Sequence, residues 1–136
     1  MSQQRALVAL LEDKLVSVAV AAARPAVAGD GVDITSWRTS GQFSGPLAAI
    51  FLDGSQAQTI NSPTGGASGV ELWGYRLSQW WLIGYLNAGT AIPVVGVDQG
   101  FAAEVNVIGI FDRLAVAGTP SAGTTTAKLV PMEQWT

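Results

Sequence analysis

The sequence predicts a mainly β fold: an antiparallel β-sandwich or jelly roll of about eight strands, preceded by a helical or extended N-terminal arm. Three observations point there. Hydrophobic residues make up 49% of the 136, and 16 glycines and six prolines break them into short runs. Those runs have strand length and are bounded by turn residues. The two most aromatic ones, Val70 to Tyr75 and Gln79 to Leu86, lie a few residues apart, as the arms of a hairpin do. A chain of this length is expected to form one core.

Residues 1–30 read as the arm and 31–136 as the sandwich domain. Residues 3 to about 14 suit a short helix, because Leu7, Leu10, Leu11 and Leu15 fall on one stripe. From Lys14 to Ala23 the period changes, with Val16, Val18 and Val20 alternating with small residues as in a strand. Arg24-Pro25 and Gly29-Asp30-Gly31 end the segment. Such an arm either docks on its own domain or reaches a neighbour; a plainer reading makes it the first helix and strand of the core.

Beyond the arm, strands are expected at Val32 to Trp37 and Gln42 to Leu52, the second bent at Gly45-Pro46 and closed by Asp53-Gly54. Residues 55–69 are polar and glycine-rich and read as a long loop. The hairpin follows, turning near Arg76-Leu77-Ser78, and Asn87-Ala88-Gly89-Thr90 makes the next turn into Ala91 to Val95. Further strands are expected at Phe101 to Ile110, Arg113 to Ala117 and Thr124 to Val130. Met132 to Trp135 is expected to fold back on the sheet, because a terminal tryptophan left in water forgoes burial.

Composition narrows function. Only 12% of residues are charged, against about a quarter in an ordinary soluble domain, so much of the surface is expected to face protein. The chain has no histidine and no cysteine, which removes disulfides, thiolate chemistry, histidine general bases and the usual zinc ligands. Neither Lys14 nor Lys128 follows a Ser-x-x-Lys pattern, and the ten carboxylates are dispersed. Asp30 and Asp33 form the closest loop pair and read as turn caps rather than ion ligands. A two-carboxylate glycosidase is compatible with the composition, but no acidic motif supports one. The chain is therefore expected not to be an enzyme and to need no cofactor or metal. A net charge of −3 without a basic run argues against nucleic acid. No signal-peptide pattern or membrane-length apolar stretch occurs, so a soluble protein made in a cytoplasm is expected.

The aromatics carry the remaining signal. Strict alternation puts Trp73 and Tyr75 on one face of the first hairpin strand, opposite Leu72 and Gly74. In the second, it sets Trp81, Ile83 and Tyr85 against Trp80, Leu82 and Leu86. Both faces are thus apolar, whereas a sandwich strand normally shows one face to water. A second cover is implied: a neighbouring subunit, the arm, or a ligand. Three readings compete for the rings: core filling, a subunit interface, and a sugar-stacking platform. Asp112 and Arg113 read as a solvated pair or as a bridge to a neighbour.

The stretch Leu72-Trp73-Gly74-Tyr75, with Trp80-Trp81-Leu82-Ile83-Gly84-Tyr85-Leu86-Asn87 and then Phe111-Asp112-Arg113-Leu114-Ala115-Val116-Ala117-Gly118, resembles small virion proteins of tailed bacteriophages. In those, a strand reading W-x-x-x-G-x-L-N precedes one reading F-x-R-L-A-V-A-G-T. The resemblance covers residues 32–132 and is one of rhythm. It implies a β-sandwich accessory protein of the head-decoration (cement) or fibre kind, located in the virion and made in the host cytoplasm. It also implies homotrimers, an arm reaching along the capsid shell, and contacts with the major capsid protein or other virion proteins; it implies no catalytic residues. On this reading the interface residues are Leu7, Leu10 and Leu11 in the arm, Trp73, Tyr75, Trp80 and Trp81 in the hairpin, and Asp112 with Arg113. The alternatives are another virion part (tail, fibre or head-to-tail connector subunit) and a glycan-binding β-sandwich module. Neither nucleic acid nor a membrane is an expected partner.

Overall fold

The structure, a computed structural model, describes residues 7–39, 47–63, 69–94, 100–106 and 111–135. Its strands in chain order are β1 (Leu7–Leu10), β2 (Val16–Ala19), β3 (Val32–Asp33), β4 (Leu47–Gly54), β5 (Gln58–Asn61) and β6 (Glu71–Arg76). They continue as β7 (Gln79–Tyr85), β8 (Ile92–Val94), β9 (Phe101–Asn106), β10 (Arg113–Ala117), β11 (Thr119–Pro120) and β12 (Thr125–Trp135). A single short α-helix, α1 (Thr35–Thr39), follows β3 among the described residues.

These strands form three antiparallel sheets around one core, a sandwich-like arrangement. One sheet has the order β1-β12-β4-β9, with β2 also paired to β12. The second runs β3-β10-β6-β7, and the third, smaller, runs β11-β5-β8. Each sends alternate side chains inward. Ile50, Leu52, Ala127 and Leu129 come from the first, Leu72, Leu114 and Val116 from the second, Ile60, Ile92 and Val94 from the third. Trp37 of α1 closes one part of this core, fully buried, with its indole N–H donating to the Lys14 carbonyl at 2.9 Å.

The N-terminal segment takes the extended form, not the helical one. Residues 7–10 form a strand paired with the end of β12, Leu10 opposite Met132 and Leu7 opposite Trp135, with only a 3₁₀ turn at Glu12–Lys14. Residues 3–6 of the expected helix lie outside the described residues. Pairing with β12 gives the segment inter-strand backbone hydrogen bonds along one edge, whereas an isolated helix this short is marginal in water. Met132 to Trp135 does not fold back as expected: it continues β12 without a break and supplies the other half of that pairing.

Two further expectations change. Val32 to Trp37 is not one strand: the Asp33 carboxylate accepts from the Thr35 N–H at 2.7 Å and from its hydroxyl at 2.6 Å. That turn starts α1 and carries the chain inward at Trp37. The loop expected over 55–69 contains β5, whose inward residues are Gln58 and Ile60. Gln58 is buried because its amide donates to the Gln56 and Thr124 carbonyls and accepts from Thr125 Oγ1. The bend expected at Gly45-Pro46, residues 64–68 of the loop and the 107–110 end of the Phe101 strand lie outside the described residues.

Candidate functional site

The site is built on the β6–β7 hairpin. Its two-residue turn, Leu77-Ser78, has φ of 55° and 60°, the left-handed pair of a type I′ turn. Pairing runs Arg76–Gln79, Tyr75–Trp80, Gly74–Trp81 and Trp73–Leu82, then slips by one to Leu72–Gly84 and Glu71–Tyr85. Ile83 is the extra residue of a β-bulge. This corrects the strict alternation expected for β7. Trp80, Leu82 and Tyr85 share one face with Trp73, Tyr75 and Glu71, and Trp81 lies on the other with Leu72 and Gly74.

The face with Leu72 and Gly74 packs into the core, and a Cβ on Gly74 would stand 2.5 Å from the Phe111 ring. Trp81, beyond that core near the turn, is 42% exposed, and its indole N–H donates to the Arg76 carbonyl at 2.9 Å.

The opposite face is covered in large part by the chain's own residues 21–31, which cross it as a strap. At Val20–Ala21 the backbone changes sheets, the Val20 N–H donating to Thr125 O and the Ala21 N–H to Val116 O. Arg24 then grips Glu71 with Nε–Oε1 at 2.8 Å and Nη2–Oε2 at 2.9 Å, and the Trp73 indole donates to the same carboxylate at 2.9 Å. The Trp80 indole donates to the Val27 carbonyl at 2.9 Å, and its ring stands 5.2 Å from the Tyr75 ring. Arg113 donates to the carbonyls of Gly29, Asp30 and Gly31 at 2.8–3.2 Å. Gly31 has φ of 71°, and a Cβ there would run into the Leu114 carbonyl and crowd Trp80. The Asp30 carboxylate accepts from the Ala26 and Val27 N–H groups at 2.8 and 3.0 Å, the turn-capping role expected of it.

Charge on this face is locally matched. The Arg24 hydrogen bonds hold the Glu71 carboxyl below its ordinary value against the opposing effect of burial, and Glu71 in turn raises the Arg24 guanidinium. Asp30 is lowered by its two backbone N–H bonds.

Of the expected interface residues, Trp73, Tyr75, Trp80 and Arg113 come together under the strap, with Trp80 buried and the others half-buried. Asp112, just before β10, accepts from Arg76 at 3.2 Å. Leu11 is buried within its own chain. Leu10, 39% exposed, lies far along the other sheet, beside an open apolar groove of about 410 Å³ lined by Ala49, Phe51, Ala102, Glu104 and Met132. Leu7 is placed by its backbone pairing alone. Sequence reasoning missed Arg24 and its pairing with Glu71; the only signal was a lone arginine before a proline in an otherwise uncharged segment.

The strap leaves an apolar remainder at the end of the sheet. Leu82 and Tyr85, 42% and 44% exposed, stay open on its face, and Leu77 caps the turn. Trp81 and Tyr85 lie on opposite faces, so these two rings do not form one flat platform for a sugar. Among the described residues no three carboxylates gather as ion ligands, and no helix is long and apolar enough to cross a membrane. No family model matches the chain, and no match was found among curated proteins or solved structures.

Proposed function

We propose that this chain is a non-enzymatic virion structural protein, a capsid decoration (cement) subunit that acts as a homotrimer and reinforces a head through apolar β-surface contacts. The observation that carries the reading is the unspent apolar surface of a charge-poor chain. Trp81, Leu82 and Tyr85 remain exposed on one strand after the strap has covered its neighbours, and Leu10 borders a second apolar groove on the other sheet. Burying such surface contributes roughly 25 cal/mol per Å² before association costs are subtracted. A low-charge, aromatic-rich patch is what buried interface cores favour. The carboxylates at the site are spent on structure, Glu71 on Arg24 and Asp30 on the strap turn.

Antiserum raised against the purified chain, applied with gold label to particles from the culture that encodes it, tests the reading. Label on heads supports decoration, and label on tails or fibres moves the protein to another virion part. A chain that sediments free of particles, or that binds a glycan array with quenching of its tryptophan fluorescence, overturns the virion assignment.

A further inference from the structure

We propose that the outer edge of β7 is a two-fold contact between copies of this chain, in which two β7 strands pair antiparallel about Trp81. The strand ends its sheet: β6 pairs one of its edges, and no described strand pairs the other. The turn at Leu77-Ser78 makes Arg76 and Gln79 the first hydrogen-bonded pair. Hydrogen-bonded pairs therefore recur at Gly74 and Trp81, and the N–H and C=O groups of Trp80 and Leu82 point away from β6. Such a row of open donors and acceptors is a template for another strand.

The occupant that fits is a second copy. With the dyad at Trp81, Trp80 meets the partner's Leu82 and Leu82 meets the partner's Trp80, so every outward N–H and C=O of the two residues finds its complement. In the same register Trp81 faces the partner's Trp81, while Leu77 in the turn and the partner's Tyr85 beyond the bulge close each end of the paired span. The hairpin's four exposed large hydrophobics, Leu77, Trp81, Leu82 and Tyr85, all fall inside that span. No residue of β7 is charged, so two copies of a chain with net charge −3 meet there without like charges opposed. The edge of β9 differs, since it carries the exposed Glu104 and would set carboxylates together.

This contact rests on the self-association in the reading above but not on the virion. Trimers built through another surface would be joined in pairs by it, so the test reads the contact itself. The chain has no cysteine, so Trp81→Cys supplies a single thiol. It would sit at a non-hydrogen-bonded pair with Cα atoms about 4.5 Å apart, within disulfide reach. Air oxidation of W81C is expected to give a covalent dimer on a non-reducing gel, while L15C, exposed just before β2, does not. Leu82→Lys, at an exposed edge position, is expected to halve the parent's light-scattering mass while keeping its circular dichroism spectrum. A parent that stays monomeric at hundreds of micromolar overturns the contact. So does W81C forming no more dimer than L15C, or L82K keeping the parent's mass. Association with particles is untouched by any of these results, so the contact and the virion reading fail separately.

Discussion

Arg24 clamps Glu71 through two parallel hydrogen bonds, 2.8 and 2.9 Å long, across 47 residues of sequence. The carboxylate is 2% exposed and the guanidinium faces solvent on one side, so the pair fixes the strap to the sheet from its outer surface. Bidentate geometry makes this stronger than an ordinary surface ion pair. Arg24→Ala leaves a buried carboxylate with the Trp73 indole N–H and little else, and a buried charge without its partner is strongly unfavourable. The urea midpoint should fall, and adding Glu71→Gln to that variant should restore at least half of the loss. If the double variant is less stable than R24A, the clamp is not what makes R24A unstable.

The same pair sets an acid limit. Glu71 is held below its ordinary value of 4.5, chiefly by the Arg24 hydrogen bonds. As pH falls, the unfolded chain takes up the proton first, so the stabilisation is full above the ordinary value and is lost as pH drops through the folded one. Unfolding free energies of the parent and E71Q, measured from pH 7 to pH 3, should therefore converge on the acid side. Asp30 contributes with the same sign and persists in both proteins, so E71Q should flatten the curve without abolishing its slope.

Trp80 and Trp81 are neighbours with different work. Trp80 is 9% exposed, packs beside Tyr75 and Gly31, and holds the strap through Val27. Trp80→Ala should cost about 3–5 kcal/mol and speed hydrogen exchange or proteolysis within residues 21–31. Trp81→Ala, at a 42% exposed position, should change monomer stability by no more than about 1 kcal/mol and reduce self-association instead. Equal losses of stability in the two variants would refute this division.

How much of this was legible follows from where the signal sits. The hairpin was readable because its apolar runs and the break between them are local. The alternation of Trp73, Tyr75, Trp80 and Trp81 was readable as well; the face of Tyr85 was not, because the bulge at Ile83 shifts pairing by one residue and a slip of one moves every later side chain to the other face. The second cover over the aromatic face was inferable from apolar residues on both sides of β7. That residues 21–31 provide much of it depends on contacts such as Arg24–Glu71 and Arg113–Gly31, which no periodicity encodes. In β5 the inward Gln58 disguised a strand as a loop, since its burial is compensated by hydrogen bonds rather than announced by hydrophobicity.

The hairpin turn offers a gain rather than a loss. Leu77 and Ser78 both adopt positive φ, which costs a side-chain-bearing residue about 1–2 kcal/mol, and asparagine followed by glycine is the pair this turn prefers. Leu77 is 78% exposed, so its replacement forgoes little burial within the monomer. Glycine at position 78 raises the entropy of the unfolded chain by up to about 1 kcal/mol, which offsets part of the relief. The net expectation for Leu77→Asn with Ser78→Gly is a stabilisation of about 1 kcal/mol by urea denaturation. It is best measured in the Leu82→Lys background, where the edge contact contributes nothing. A double variant no more stable than its parent would mean that the surrounding strands, rather than the turn residues, dictate the left-handed turn.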